Sequence, residues 1–336
     1  MSWHLTGKVS PILSDRSGPG MGIGGQAVTE PGYLKLYHRG DLAARIEAAW
    51  GLLAPCRLCP HLCNVDRLHG ERGICGMGDQ PKLSSWNLHP WEEPPISGVH
   101  GSGTIFFSGC TGRCRFCQNY PISQLGYGDV VSIERLAEIM LELQKKGAHN
   151  INFVTPTHFV PQILAALPAA IGDGLRLPLV YNTSGYERVE TLRLLENVVD
   201  IWLPDAKYAV NHVARKYSGF SNYAEHNCAT LQEVYRQVGA NLELDEMGIA
   251  RRGMIIRHLV LPRGLASTGE VLLWVAGNLS LNIHVSLMDQ YFPAHRAIGD
   301  PVLGRKITME EYESALGACH AAGLENGWCQ ETTAEI

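Results

Sequence analysis

Long apolar runs are missing from this 336-residue chain. The longest, near Val271–Ala276, is far too short to cross a bilayer, so no membrane span is expected. Met1–Gly25 has no apolar core segment, so no secretory leader is expected either. An excess of positive charge is also missing. Lys and Arg number 28 against 33 Asp and Glu, a net charge of −5, and no basic field recruits nucleic acid or an anionic membrane. Charged residues make up only 18% and apolar residues 45%, which describes a globular chain and excludes a disordered one. There is no Gly-x-Ser-x-Gly elbow, no His-Glu-x-x-His and no internal repeat. Gly20-x-Gly22-x-Gly24-Gly25 is no dinucleotide fingerprint, because no strand precedes it.

Cysteine, by contrast, is plentiful. Seven of the ten cysteines fall between residues 56 and 117, two to eleven residues apart within each group. Thiols packed this closely in a chain without a leader predict bound metal in a reducing, cytoplasmic setting, not disulfides. Around them the texture changes along the chain. Residues 1–40 are rich in Gly and read as an irregular arm; Asp41–Leu53 reads as a helix, and 81–100, with its prolines, as an extended linker. From about Gly103, apolar strands alternate with helices: Thr104–Ser108, Asn150–Thr155, Leu177–Asn182, Val199–Leu203, Met254–Leu261 and Asn282–Leu287 are the predicted strands. A hairpin arm is predicted at Leu242–Arg252 and a last helix at Thr308–Ala322. Six such units predict a parallel α/β sheet with right-handed crossovers, either a partial barrel or an open sheet. Polar residues crowd the strand ends at Cys110, Thr155–His158, Asn182–Ser184, Asp205–Lys207, Arg263 and Asp289–Gln290, where active sites of such folds lie.

Two cysteine groups differ in their arithmetic. Cys110-Thr-Gly-Arg-Cys114-Arg-Phe-Cys117 places three thiolates directly after a buried strand. Three ligands can grip a cubane iron–sulfur cluster and leave one iron open for chemistry, whereas zinc prefers four ligands in paired spacings. Cys56, Cys59, Cys63 and Cys75 offer four thiolates, enough to close a structural or electron-relay site of zinc or of a second iron–sulfur cluster; free cysteines are the bland alternative. His61, His69 and His89 could substitute as ligands. Cys228, Cys319 and Cys329 are isolated; Cys228 and Cys319, on predicted helices, read as small buried hydrophobes, and Cys329 as structural, with an approach to a cluster as the alternative.

The triplet with Phe116 before its last cysteine, at the first strand end of a six-unit chain, resembles the radical S-adenosylmethionine (SAM) superfamily. The resemblance runs from about Ser97 to Pro293. It implies a partial (β/α)6 TIM-like barrel with an N-terminal cysteine-rich extension. It further implies a [4Fe-4S] cluster on Cys110, Cys114 and Cys117, its open iron chelated by SAM, and Phe116 against the adenine. Thr155 and Thr157 stand where the family's Gly-Gly-Glu stretch meets the SAM amino group, without the Glu. Asn182 and Ser184 resemble a SAM-facing turn. Asp205 and Lys207 resemble the Asp-x-Lys pair of glycyl-radical activating enzymes, and Arg257 resembles their carboxylate-binding arginine. Tyr33-Leu-Lys-Leu, the four-cysteine stretch, Glu93-Pro-Pro-Ile-Ser-Gly and Cys117-Gln-Asn-Tyr-Pro-Ile-Ser resemble the branch of pyruvate formate-lyase activating enzyme homologues. That implies an electron donor of flavodoxin or ferredoxin type, and a glycyl-radical enzyme, another protein or a small molecule as target. The competing reading is a non-catalytic iron–sulfur or zinc protein that carries electrons or scaffolds a complex. The expected organisation is an arm, helix and cysteine-rich module over 1–95, a barrel over 96–300 and a packing helix over 301–336.

Overall fold

The computed structural model describes residues 9–12 and 30–330. The Gly20–Gly25 stretch lies outside the described residues. Eleven described strands follow in chain order: β1 Val9–Pro11, β2 Lys82–His89, β3 Ser102–Phe107, β4 Asp129–Val130, β5 Ile151–Val154, β6 Leu179–Thr183, β7 Ile201–Pro204, β8 Glu243–Leu244, β9 Ala250–Leu259, β10 His284–Met288 and β11 Gly327–Gln330. The α-helices are α1 Gly32–Arg39, α2 Asp41–Trp50, α3 Pro94–Ser97, α4 Tyr120–Ser123, α5 Ile133–Lys145, α6 Val160–Gly172, α7 Val189–Leu194, α8 Asn211–Ser218, α9 Tyr223–Val238, α10 Thr268–Asn278 and α11 Met309–Ala321.

β3, β5, β6, β7, β9 and β10 run parallel, each followed by helix, as their continuous apolar character predicts for strands covered on both faces. β11 adds a seventh parallel strand beside β10. The path begins at β1 and ends at β4, which do not pair with each other, so the sheet is an open, partial barrel. No described helix is long and apolar enough to cross a membrane.

Three expectations are corrected. The extended linker holds β2, antiparallel to β3 through most of its length; Pro81 and Pro90 lie just outside it, where they cost no ladder bond. The arm contains β1 and α1. α1 is anchored where Asp200 accepts the Gly32 N–H at 2.9 Å and the Leu179 N–H at 3.0 Å. Gly32 is required there, since a Cβ would sit 2.6 Å from the Asn197 carbonyl oxygen. The third correction is β11, whose four residues are too few to carry a period.

The larger core joins the helix-facing side chains, among them Ile105, Phe107, Phe153, Tyr181, Trp202 and Ile256, to α5, α6 and the N-terminal helices. A smaller core fills the barrel interior with Ile96, Val180, Ile201, Leu203, Ala250 and Ile255. The polar strand ends are therefore left at one rim.

Candidate active site at the carboxyl-terminal rim

The chain leaves β3 through Ser108 and turns at Gly109, whose φ of +79° and closeness to Cys75 (a Cβ would sit 2.7 Å from the Cys75 carbonyl oxygen) admit only glycine. The loop that follows is tied to α8 by the Arg113 N–H to the Ser218 carbonyl, 2.8 Å, and the Arg115 N–H to the Tyr217 carbonyl, 2.7 Å. The Cys110 sulfur accepts the Gly112 N–H at 3.2 Å, and the Cys117 sulfur lies 3.1 Å from the Ser123 hydroxyl. Burial pushes the Cys110 thiol up to about 12 and the Cys114 thiol up to about 11. Repulsion between the two sulfurs adds to the rise at Cys110, and the Lys207 ammonium opposes it at both. Cys117 is raised by burial too.

Lys207 and Asp205 leave the end of β7 as an ion pair at 2.5 Å. Burial works against the Lys207 charge, and Asp205 with Cys114 and Cys110 outweighs it, so its pKa is raised. Phe116 and Lys207 line one small cavity with Leu259 and Leu261, and Phe116 meets Tyr291 edge to face. The three cysteines, Phe116, Asp205 and Lys207 are thus brought together. α9 supports them through two residues that sequence reading passed over. The Tyr223 hydroxyl donates to the Ser184 carbonyl at 2.8 Å and accepts the Lys207 N–H at 3.0 Å. Asn227 donates to the Asp205 and Gly185 carbonyls at 2.8 and 3.0 Å.

The other predicted residues are placed differently. Thr155, in the left-handed region at φ +59°, donates its N–H to the Asn182 carbonyl at 2.9 Å and so joins two strand ends through backbone. The Thr157 hydroxyl donates to Glu187 at 2.6 Å, and the Thr183 hydroxyl bonds the same oxygen. Glu187 is a buried carboxyl pushed up to about 7 by burial, against the pull of Thr157 and Thr183. The turn that lacks a Glu of its own thus receives one from the next strand's loop. Arg257, expected at the SAM carboxylate, is committed to Glu93 at 2.8 Å and to Glu92. Burial disfavours the Glu93 charge, but Arg257 beside it holds the carboxyl below the usual range. Of the isolated cysteines, Cys319 is buried in the larger core; Cys228 and Cys329 are half-buried on α9 and β11. A larger cavity of about 360 Å³ opens at the opposite, amino-terminal end of the barrel, lined by Pro94, Gly98, Leu242, Ile249, His284 and Trp328.

The donor set suits an iron–sulfur cluster. Three soft sulfur ligands stand within electrostatic reach of one another after β3, and thiolates are the ligands such clusters take. The Lys207–Asp205 pair presents one charge of each sign, which suits the zwitterionic amino-acid end of SAM.

The family model described as the radical SAM superfamily matches residues 104–226. The uncharacterized protein MJ0674 of Methanocaldococcus jannaschii is 32% identical over 293 residues, which cover 84% of this chain and 80% of that protein. Among solved structures, HydG, a maturase of the [FeFe]-hydrogenase, is similar with a TM-score of 0.45 and 10% identity, over 65% of this chain and 48% of that one. Methylornithine synthase (PylB) is similar with a TM-score of 0.40 and 12% identity, over 65% and 68%. The chain spans about half the length of the hydrogenase maturase.

Proposed function

Because the chain belongs to the radical SAM superfamily, we propose that it cleaves SAM reductively at Cys110, Cys114 and Cys117 and uses the product to take hydrogen from a substrate. One observation carries this reading: three half-buried cysteines after β3 stand within electrostatic reach of Lys207, which pairs with Asp205 at the end of β7. When bound, the [4Fe-4S] cluster supplies the electron that splits SAM into methionine and a 5′-deoxyadenosyl radical. The chain's own residues bind and orient. Cys110, Cys114 and Cys117 would hold the cluster and leave an open position for SAM. Lys207 would donate to the SAM carboxylate and Asp205 would accept from the amino group. Phe116, Leu259 and Leu261 offer an apolar wall to the adenine and keep water from the radical. Thr155, Asn182 and Ser184 lend backbone and side-chain groups at neighbouring strand ends.

The resemblance to activating-enzyme homologues supports an electron donor of flavodoxin or ferredoxin type and two target classes, a protein glycine or a small molecule. An adjacent gene for a glycyl-radical enzyme would favour the first. Ten cysteines, none of them in a disulfide, support a reducing compartment such as the cytoplasm.

The test is anaerobic reconstitution with iron and sulfide, reduction with dithionite, and assay of 5′-deoxyadenosine. The wild-type chain should form it, and Cys114→Ala should form none. Lys207→Gln should weaken SAM binding by about tenfold or more, the worth of a charge-assisted hydrogen bond. A fully loaded wild-type chain that forms no 5′-deoxyadenosine, and whose EPR spectrum ignores SAM, would favour the non-catalytic reading.

A further inference from the structure

We propose that Cys56, Cys59, Cys63 and Cys75 hold a second iron–sulfur cluster, closed by four sulfurs, which exchanges electrons with the three-cysteine site. The site itself follows from local geometry; only the electron's destination rests on the function proposed above.

The backbone around these sulfurs is built for thiolates. The Cys63 sulfur accepts the Ile74 N–H at 3.4 Å. That amide aimed at sulfur repeats what the Gly112 N–H does for Cys110 at 3.2 Å. A thiol is a weak acceptor, and amides aimed at sulfur match ligands that carry negative charge. Gly73 completes the wrap, since a Cβ there would sit 2.6 Å from the Cys63 sulfur.

A buried cation faces the group. Arg67 is 1% exposed, and its guanidinium donates to the Gly78 carbonyl at 3.0 Å and the His158 carbonyl at 2.8 Å. Among the described residues no carboxylate pairs with it, and Cys75 lies within its field. The Phe159 ring lies 5.8 Å from the guanidinium, but a buried charge without a counter-ion is costly. Four thiolates on a cluster supply that counter-charge.

Iron–sulfur chemistry fits better than zinc on the ground of position. Gly109 abuts the Cys75 carbonyl, His61 Nε2 donates to the Thr111 carbonyl at 2.7 Å, and Arg113 donates to the Ile74 carbonyl. The loops of the two cysteine sets interlock, which a structural zinc does not need and a relay does. In the relay, a reduced flavin or iron–sulfur protein loses one electron. The second cluster gains it and is reoxidised on passing it to the first, with no bond or proton changed.

The test uses the full chain, reconstituted anaerobically. About eight irons per chain are expected if both clusters are cubanes, with little zinc. The dithionite-reduced protein should show two EPR signals that broaden one another, only one of them shifted by SAM. Cys59→Ser/Cys63→Ser should lose about half the iron and the SAM-insensitive signal while keeping the other. Gly73→Ala, which leaves every ligand in place, should lose the same signal if the double variant fails to fold. Cys114→Ala should do the reverse. About one zinc per chain beside four irons, or iron unchanged in both the double variant and Gly73→Ala, overturns the proposal. A second signal that survives while SAM shifts neither would instead overturn the function proposed above and leave the second cluster standing.

Discussion

Arg257 shows how much of the barrel interior is electrostatic. Its guanidinium holds Glu92 and Glu93, which enter from the β2–α3 connection, and Asn152 donates to Glu92 at 3.2 Å. Two buried carboxylates on one guanidinium leave no spare cation. Arg257→Gln should therefore cost about 3–5 kcal/mol, as removal of one partner of a buried pair does, and Glu93→Gln should cost less because Glu92 keeps Arg257 paired. Urea unfolding measures both, and a wild-type midpoint in Arg257→Gln would contradict the assignment. The cysteine triplet was legible because its spacing is covalent. The Arg257–Glu93 and Glu187–Thr157 contacts were not, because their partners lie 164 and 30 residues apart in sequence.

At the level of elements, local signals were most reliable where apolar period and cap agreed. In α5, Leu136, Ala137, Ile139, Met140 and Leu143 are buried at helical spacing, and the Ser132 hydroxyl accepts the Arg135 N–H at 3.1 Å, as expected of an N-cap. Ser132→Ala should lower stability by about 1 kcal/mol and Ser132→Asp should restore it, read from the denaturation midpoint. A loss restored by neither Asp nor Asn would point to packing instead of capping. β2 escaped notice because its flanking prolines resemble a linker. Its pairing with β3 depends on residues about twenty positions further on.

Two histidines tie the site to the stability of the whole molecule. His158 Nε2 meets the Ser108 carbonyl at 2.7 Å, and His258 Nδ1 meets the Ala206 carbonyl at 2.6 Å, so each pins a strand end that carries site residues. Burial lowers His158 to about 3 and His258 to about 4. The unfolded chain takes up these protons below the ordinary value of about 6.5, and the folded chain does not until pH 3–4. Stability contributed by their neutral state is therefore present above about pH 6.5 and falls as pH drops, by roughly 1.4 kcal/mol per pH unit per histidine. ¹⁵N spectra of histidine-labelled protein should show at least two of the 14 imidazoles, those of His158 and His258, still neutral at pH 5.5. Titration of all of them near 6.5 would refute it. The order of the six core parallel strands, the three-sulfur motif and the rim where polar residues gather were determined by the sequence alone, because period and spacing are properties of neighbouring residues. Only the tertiary structure decided that Arg257 is already paired, that Glu187 serves the Thr157 turn and that the two cysteine loops interlock. Burial and charge pairing depend on which distant segments meet, and no local pattern records that.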